Sequence, residues 1–288
     1  MRRFLAPFLL LGLASCGSPV AILNATASGD FHVTRDVAYA PGPRGKLDIY
    51  RPDGARDAPV VVFLYGGSWE DGSKAMYRFV GAALAAHGII AVIPDYRVYP
   101  QVRFPTFLYD CAGAVAWTAR HAAELGGDPD RLVLMGHSAG AYNAAMLALD
   151  PVYLQAVGMN PRDIAGFIGL AGPYDFLPLQ DPVLKQVFGP EDQLARTQPI
   201  NFVTPGAPPA FLAAGLRDTT VAPRNTKRLA ARLRAAGDAV ETRYYPRLDH
   251  KLLIGAMSPL LGFLAPVLPD CLGFIRDLQP TNEQRNAA

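Results

Sequence analysis

The sequence predicts an α/β chain built on a mostly parallel sheet, of the eight-stranded type, with helices on both faces. Three observations carry that reading. Short apolar runs rich in β-branched residues, such as Pro59-Val60-Val61-Val62-Phe63-Leu64, have the composition of strands buried on both faces. Segments with apolar residues at helical spacing alternate with these runs, which requires crossover connections and parallel strands. One run, Leu132-Val133-Leu134-Met135, leads into Gly136-His137-Ser138-Ala139-Gly140, a strand-to-helix turn that lifts a serine clear of the sheet end.

The N-terminus reads as a targeting segment. Met1-Arg2-Arg3 is basic and Phe4 to Leu13 is apolar, shorter than the roughly twenty residues that a bilayer span needs. Leu13-Ala14-Ser15-Cys16-Gly17 resembles a bacterial lipobox. Residues 1–15 are therefore expected to be a signal peptide, Cys16 the lipid-modified first mature residue, and 16–30 a tether to a domain spanning 31–288. The alternative is an ordinary secretory cleavage site that happens to contain a cysteine. The expected setting is the membrane of a bacterial envelope, outside the cytoplasm.

Lys46 to Tyr50 alternates apolar and polar residues, as a strand with one solvated face does. The buried run 59–64 follows. Ala75 to Ala86 is predicted helical, ended by His87-Gly88, and Ile89 to Ile93 is the next buried strand. Pro105 to Ala123 has helical spacing, with Pro105 and Thr106 suited to a first turn. Gly126 to Asp130 is a turn-rich link into the strand before Ser138, and Ala139 to Leu149 is rich in helix formers.

Ile164 to Leu170 reads as a strand, and residues 173–207 show little periodicity. Ala210 to Ala214 is a buried strand, Pro223 to Ala236 a helix closed by Gly237, and Val240 to Tyr245 an alternating edge strand. The apolar stretch Leu252 to Leu278 is broken by Pro259, Pro266 and Pro269, which indicates a packed, interrupted helix rather than a membrane span.

Of 288 residues, 50% are hydrophobic and 18% charged, enough for a sizeable core in one domain. The 27 basic and 25 acidic side chains become 25 and 25 once Arg2 and Arg3 leave with the signal segment. That balance gives no reason to propose nucleic acid as a partner.

The chemistry lies in the order of a few residues. A serine hydroxyl needs a base to take its proton and an acid to orient that base. After Ser138, the next acid at a strand end is Asp218, in Gly215-Leu216-Arg217-Asp218, and His250 follows the last strand. Asp218 could instead cap the helix near Pro223. Asp249 adjoins His250, but sequence neighbours rarely orient one another's rings. Among the other histidines, His32 is placed before the first strand, His87 at a helix end and His121 within a helix. His137 beside the serine is expected to be structural. Tyr65-Gly66-Gly67-Ser68-Trp69 supplies a glycine-rich turn. The N–H groups of Gly67 and Ser68, with that of Ala139, are the expected donors to a tetrahedral oxyanion.

These features together resemble the α/β-hydrolase superfamily. Within it, the likeness is to an esterase group that includes hormone-sensitive-lipase-like carboxylesterases, feruloyl-esterase-like domains, kynurenine formamidases and prenylcysteine methylesterases. The resembling residues are Gly66-Gly67-Ser68-Trp69, Asp95-Tyr96-Arg97, Gly127-Asp128-Pro129-Asp130-Arg131, the Ser138 turn, Gly215-Leu216-Arg217-Asp218 and His250, spread over about residues 36 to 278. The resemblance implies that Ser138 is the nucleophile, His250 the base and Asp218 the orienting acid. One departure is Tyr65, where the group usually carries a histidine that shapes the loop. In this fold the helices holding Cys111 and Cys271 cover opposite faces of the sheet, beyond the roughly 7 Å reach of a disulfide. Two buried free thiols are expected, and no zinc site.

The expected function is hydrolysis of carboxylic esters through an acyl-enzyme, with short-chain or aryl esters as substrates and no cofactor or metal. Trp69, Tyr142 and the 173–207 segment are expected to wall the substrate pocket. Two alternatives stand beside it: an amidase or peptidase using the same triad, and an envelope lipoprotein that uses the fold for binding without catalysis.

Overall fold

Right-handed strand–helix–strand crossovers return the chain to the same end of a sheet, and here they build one sheet with all its loops of interest at one end. A computed structural model describes residues 19–287. Its strands are β1 (Phe31–Ala38), β2 (Lys46–Pro52), β3 (Ala58–Leu64), β4 (Ile90–Pro94), β5 (Gly127–His137), β6 (Gly166–Leu170), β7 (Ala210–Gly215) and β8 (Val240–Tyr245). They form a single sheet in the order β1-β2-β4-β3-β5-β6-β7-β8. The strands from β3 onward run parallel, and β2 is antiparallel to both of its neighbours. The predicted α/β class and mostly parallel sheet are what the chain adopts.

The helices are α1 (Pro19–Ala25), α2 (Arg78–Ala85), α3 (Thr106–His121), α4 (Ala139–Leu149), α5 (Pro151–Gln155), α6 (Pro182–Phe188), α7 (Arg224–Ala235), α8 (His250–Gly255), α9 (Val267–Asp277) and α10 (Thr281–Ala287). Every residue of α4 is buried, because the helix crosses the centre of the molecule against β5 and β6. The apolar, alanine-rich sequence that predicted it is what such a position requires. By contrast α7 buries only Asn225, Thr226, Leu229, Ala230 and Leu233 and turns its arginines to water.

Several boundaries differ from the sequence reading. The expected helix from Ala75 opens as a 3-10 turn, Lys74–Tyr77, before α2. Gly127 to Asp130, expected as a link, already belongs to β5; Gly127 pairs with Ala58 ahead of a register shift. The C-terminal stretch breaks as expected, into α8, a 3-10 turn at Gly262–Leu264, and α9. His32 lies within β1 rather than before the strands. The sequence does not announce β1, because a register shift between Thr34 and Val37, with Asp36 at φ +58°, interrupts its alternation.

The expected tether is also corrected in part. Residues 19–25 form α1, which docks on the domain: Asn24 Nδ2 donates to the Ala75 carbonyl and Asn24 Oδ1 accepts the Phe79 N–H. The signal segment and Cys16 lie outside the described residues. Among the described residues no helix is long and apolar enough to cross a membrane. Cys111 on α3 and Cys271 on α9 are both buried and unpaired, and burial pushes both thiols up.

Candidate active site

The site begins with a turn that ordinary residues avoid. Ser138 sits between β5 and α4 with φ +56° and ψ −124°, a region that costs a non-glycine residue about 1–3 kcal/mol. The surroundings enforce it. Ser138 N–H donates to the Leu170 carbonyl at 2.9 Å. A Cβ on Gly140 would fall on the Leu64 carbonyl, and one on Gly136 on the Gly140 carbonyl. Glycine on either side is thus a consequence of how closely α4 crosses the end of β3.

Two loops bring partners to this serine. His250 is the first residue of α8, beyond β8, and its Nε2 lies 2.9 Å from Ser138 Oγ. Its Nδ1 lies 2.7 Å from Oδ2 of Asp218, beyond β7. The three residues expected to act together are thus joined across the carboxyl ends of β5, β7 and β8. Asp249 is not part of this chain; it caps α8, accepting the N–H groups of Lys251 and Leu252.

Asp218 is held at both oxygens. Its Oδ1 accepts the N–H groups of Thr220 and Val221 and closes the turn after β7, whereas α7 carries no side-chain cap, so the capping alternative does not hold. Its side chain is fully buried. Burial pushes the carboxyl up, but the His250 hydrogen bond and the two backbone N–H groups outweigh it and hold the group below the usual carboxylate range. Asp218 is therefore ionised at neutral pH.

The loop after β3 runs through three successive left-handed residues: Gly67 at φ +139°, Ser68 at +53° and Trp69 at +59°. The Gly67 carbonyl accepts from Glu70 and Asp71 and closes the turn. The N–H groups of Gly67, Ser68 and Ala139 donate to no backbone carbonyl among the described residues. Ser68, Trp69, Ser138 and Ala139 border a cleft of about 530 Å³, whose far wall includes Phe176 and Leu179 of the 173–207 segment.

Trp69 is fixed by its own cage. Its Nε1 donates to Asn143 Oδ1 at 3.0 Å, and Tyr142 and Phe188 meet it edge-on at 4.9 and 4.7 Å. Tyr142 itself is fully buried behind Trp69 and does not reach the cleft. Its expected place on the pocket wall is corrected: α4 turns that face inward, and Trp69 covers it.

Tyr65 supports the loop from below. It is fully buried and stacks on Tyr96 at 4.5 Å. Its hydroxyl oxygen accepts from Arg44 Nη1 at 3.0 Å and from the Tyr96 N–H, while Tyr96 O–H donates to the Tyr65 carbonyl. The loop is thereby tied to the segment after β4.

One contact escaped the sequence reading. His137 Nε2 lies 3.1 Å from the backbone carbonyl of His250, and the two rings are 4.7 Å apart. The sequence marks His137 as structural but gives no signal for this partner. Burial, helped by the neighbouring His250, pushes His137 down to about 3, so its ring is neutral. Among the described residues no cluster of His, Cys, Asp or Glu could hold a metal ion.

Comparison with known proteins finds esterases of the same fold. The BD-FAE family model matches residues 47–233. Isoprenylcysteine alpha-carbonyl methylesterase ICME of Arabidopsis thaliana is 28% identical over 84% of the chain and 62% of the relative. Esterase LipC of Mycobacterium tuberculosis is 30% identical over 70% of the chain and 55% of the relative. The chain thus spans roughly three fifths of these longer relatives. Among solved structures, a carbohydrate esterase from gut microbiota superposes with a TM-score of 0.76 at 19% identity, covering 87% of the chain and 97% of that protein. A thermophilic esterase of Thermogutta terrifontis superposes at 0.69 with 25% identity, covering 87% and 94%.

Proposed function

Because the chain belongs to the BD-FAE family, within the α/β-hydrolase carboxylesterase group, we propose that it hydrolyses carboxylic esters through an acyl-enzyme on Ser138. The observation that carries this reading is the hydrogen-bonded chain from Ser138 Oγ to His250 to Asp218, at 2.9 and 2.7 Å.

Ser138 Oγ attacks the ester carbonyl carbon as its proton passes to His250 Nε2. The carbonyl oxygen becomes an oxyanion that Gly67, Ser68 and Ala139 N–H groups stabilise; one such donor is worth about 3 kcal/mol of barrier. The carbon–oxygen bond to the alcohol then breaks, and the alcohol leaves with the proton from His250. Water attacks the acyl-enzyme by the same route, releasing the acid and restoring Ser138. Asp218 stays ionised throughout and fixes the imidazole. The apolar walls at Trp69, Phe176 and Leu179 favour short-chain or aryl esters.

The lipobox order of Leu13 to Gly17 supports export and lipid anchoring through Cys16. Only Gly17 and Ser18 separate Cys16 from α1, so an anchored domain would sit close to the bilayer. Loss of lipid labelling in Cys16→Ser tests the anchor.

The catalytic reading is tested with p-nitrophenyl acetate and a fluorophosphonate probe. The wild-type protein hydrolyses the ester and is labelled on Ser138, whereas Ser138→Ala does neither and retains its fold. Persistent turnover by Ser138→Ala would refute the assignment.

A further inference from the structure

We infer that His137 is a positioning residue for the proposed base: its ring tethers the backbone of His250 to the strand that carries Ser138. The inference rests on the hydrolase reading above and deepens it.

The argument starts from what a carbonyl oxygen can do. It only accepts, so the His137 nitrogen 3.1 Å from the His250 carbonyl must carry a proton. The ring is neutral, so Nε2–H is its single donor and Nδ1 is bare. Nδ1 is indeed buried with no hydrogen-bond partner, a rarity for a polar atom in a folded interior. Gly66 lies against it on one side. A ring placed only for packing has no need to spend its one donor on the backbone of the base.

Burial keeps that ring neutral, with His250 adding to the effect and Asp218 opposing it. His250 and Asp218 face it from the ends of β8 and β7, and the Tyr77 ring stands 6.4 Å away from the 3-10 turn. Burial pushes Tyr77 up to about 12, so it adds no charge. A second cation beside the imidazolium that forms on His250 would oppose catalysis.

The mechanical consequence follows from the covalent chain. His137 and Ser138 are consecutive, so a shift of the nucleophile carries the tether, and through it the base, along. His250 is then fixed at three points: Nδ1 on Asp218, its carbonyl on His137, and its helix start by the Asp249 cap. The separation between Ser138 Oγ and His250 Nε2 is thereby set by the strand and not by the α8 loop alone.

The test uses His137→Phe, which keeps a ring and loses the donor, and His137→Gln, which restores an N–H. His137→Phe should lower kcat by about tenfold to a hundredfold, with KM changed less than about twofold, the signature of a base displaced by an ångström or less. Its fluorophosphonate labelling should slow in parallel and the acid limb of its pH–kcat profile should move, while His137→Gln recovers most of the rate. Wild-type kcat and an unmoved pH profile in His137→Phe would overturn the inference. Should His137→Phe not fold, ring-nitrogen NMR on the wild-type protein decides: a neutral Nε2–H tautomer at His137 between about pH 5 and 9 is required, and titration or the Nδ1–H tautomer there overturns it. If the wild-type serine is not labelled at all, the hydrolase reading falls. If it is labelled, and His137→Phe is labelled equally fast, only this inference does.

Discussion

Asp218 holds His250 through one carboxylate oxygen, at 2.7 Å, while its other oxygen accepts the N–H groups of Thr220 and Val221. Orientation of the His250 ring and closure of the turn after β7 are therefore one structural event. An amide at this position must point its N–H₂ at one set of donors or the other. Asp218→Asn should lower kcat on p-nitrophenyl acetate by about 10⁴-fold with KM little changed. A loss smaller than tenfold would remove Asp218 from the mechanism.

Acid should weaken the fold in a window set by His137. The ring is held at about 3 in the folded protein against an ordinary 6.5, so between these values the unfolded chain binds a proton that the folded chain does not. Stability then falls as pH drops from about 6.5, by at most about 1.4 kcal/mol per pH unit. Asp218 acts in the same direction at lower pH. Its folded carboxyl lies below 3.8, so its contribution is present above that value and lost as pH falls through the folded one. Urea titrations at pH 7 and 5 should show a smaller difference for His137→Gln than for the wild type.

Two glycines should respond oppositely to alanine. At Gly140 an added methyl meets the carbonyls of Leu64 and Tyr65, backbone that cannot yield. Gly140→Ala should cost about 3 kcal/mol and abolish hydrolysis. Gly113 sits in α3 with only the Tyr39 ring nearby, at 3.9 Å. Gly113→Ala should stabilise by about 0.5–1 kcal/mol through helix propensity. Thermal denaturation of both variants checks the contrast.

Lys74 is buried between Asp36 and Asp48, its Nζ 2.8 and 2.6 Å from their carboxylates. Burial works against its charge, and those two hydrogen bonds outweigh it, raising the lysine above its usual range. Lys74→Met leaves Asp48 buried without its cation and should cost about 3 kcal/mol. The double variant Lys74→Met with Asp48→Leu should recover most of that loss, whereas Asp36→Asn, which tolerates the φ of +58° at the exposed partner, should change stability little.

Much of this protein was legible in one dimension because its signals are local. The buried strands β3 to β7 are short apolar runs, and α4 follows β5 with the boundaries that its composition indicates. The Ser138 turn is legible because glycines are required where backbone meets backbone. Asp218 and His250 could be named because each follows its strand directly, in the chain order that the fold imposes. Local signals failed where burial or register was irregular. The bulge at Asp36 hid β1, and α1 owes its place to Asn24 contacts more than fifty positions away.

The sequence by itself determined the fold class, the strained turn at Ser138 and the identity of the residues that meet there. Only the tertiary structure decided how they meet. Tyr142 packs behind Trp69 instead of facing the cleft, Asp218 serves two partners at once, and His137 reaches the His250 carbonyl from 113 positions away. The physical reason is the same in each case. Composition and periodicity encode which way a residue faces within its own element, whereas these contacts exist only after separate elements have been pressed together at the end of one sheet.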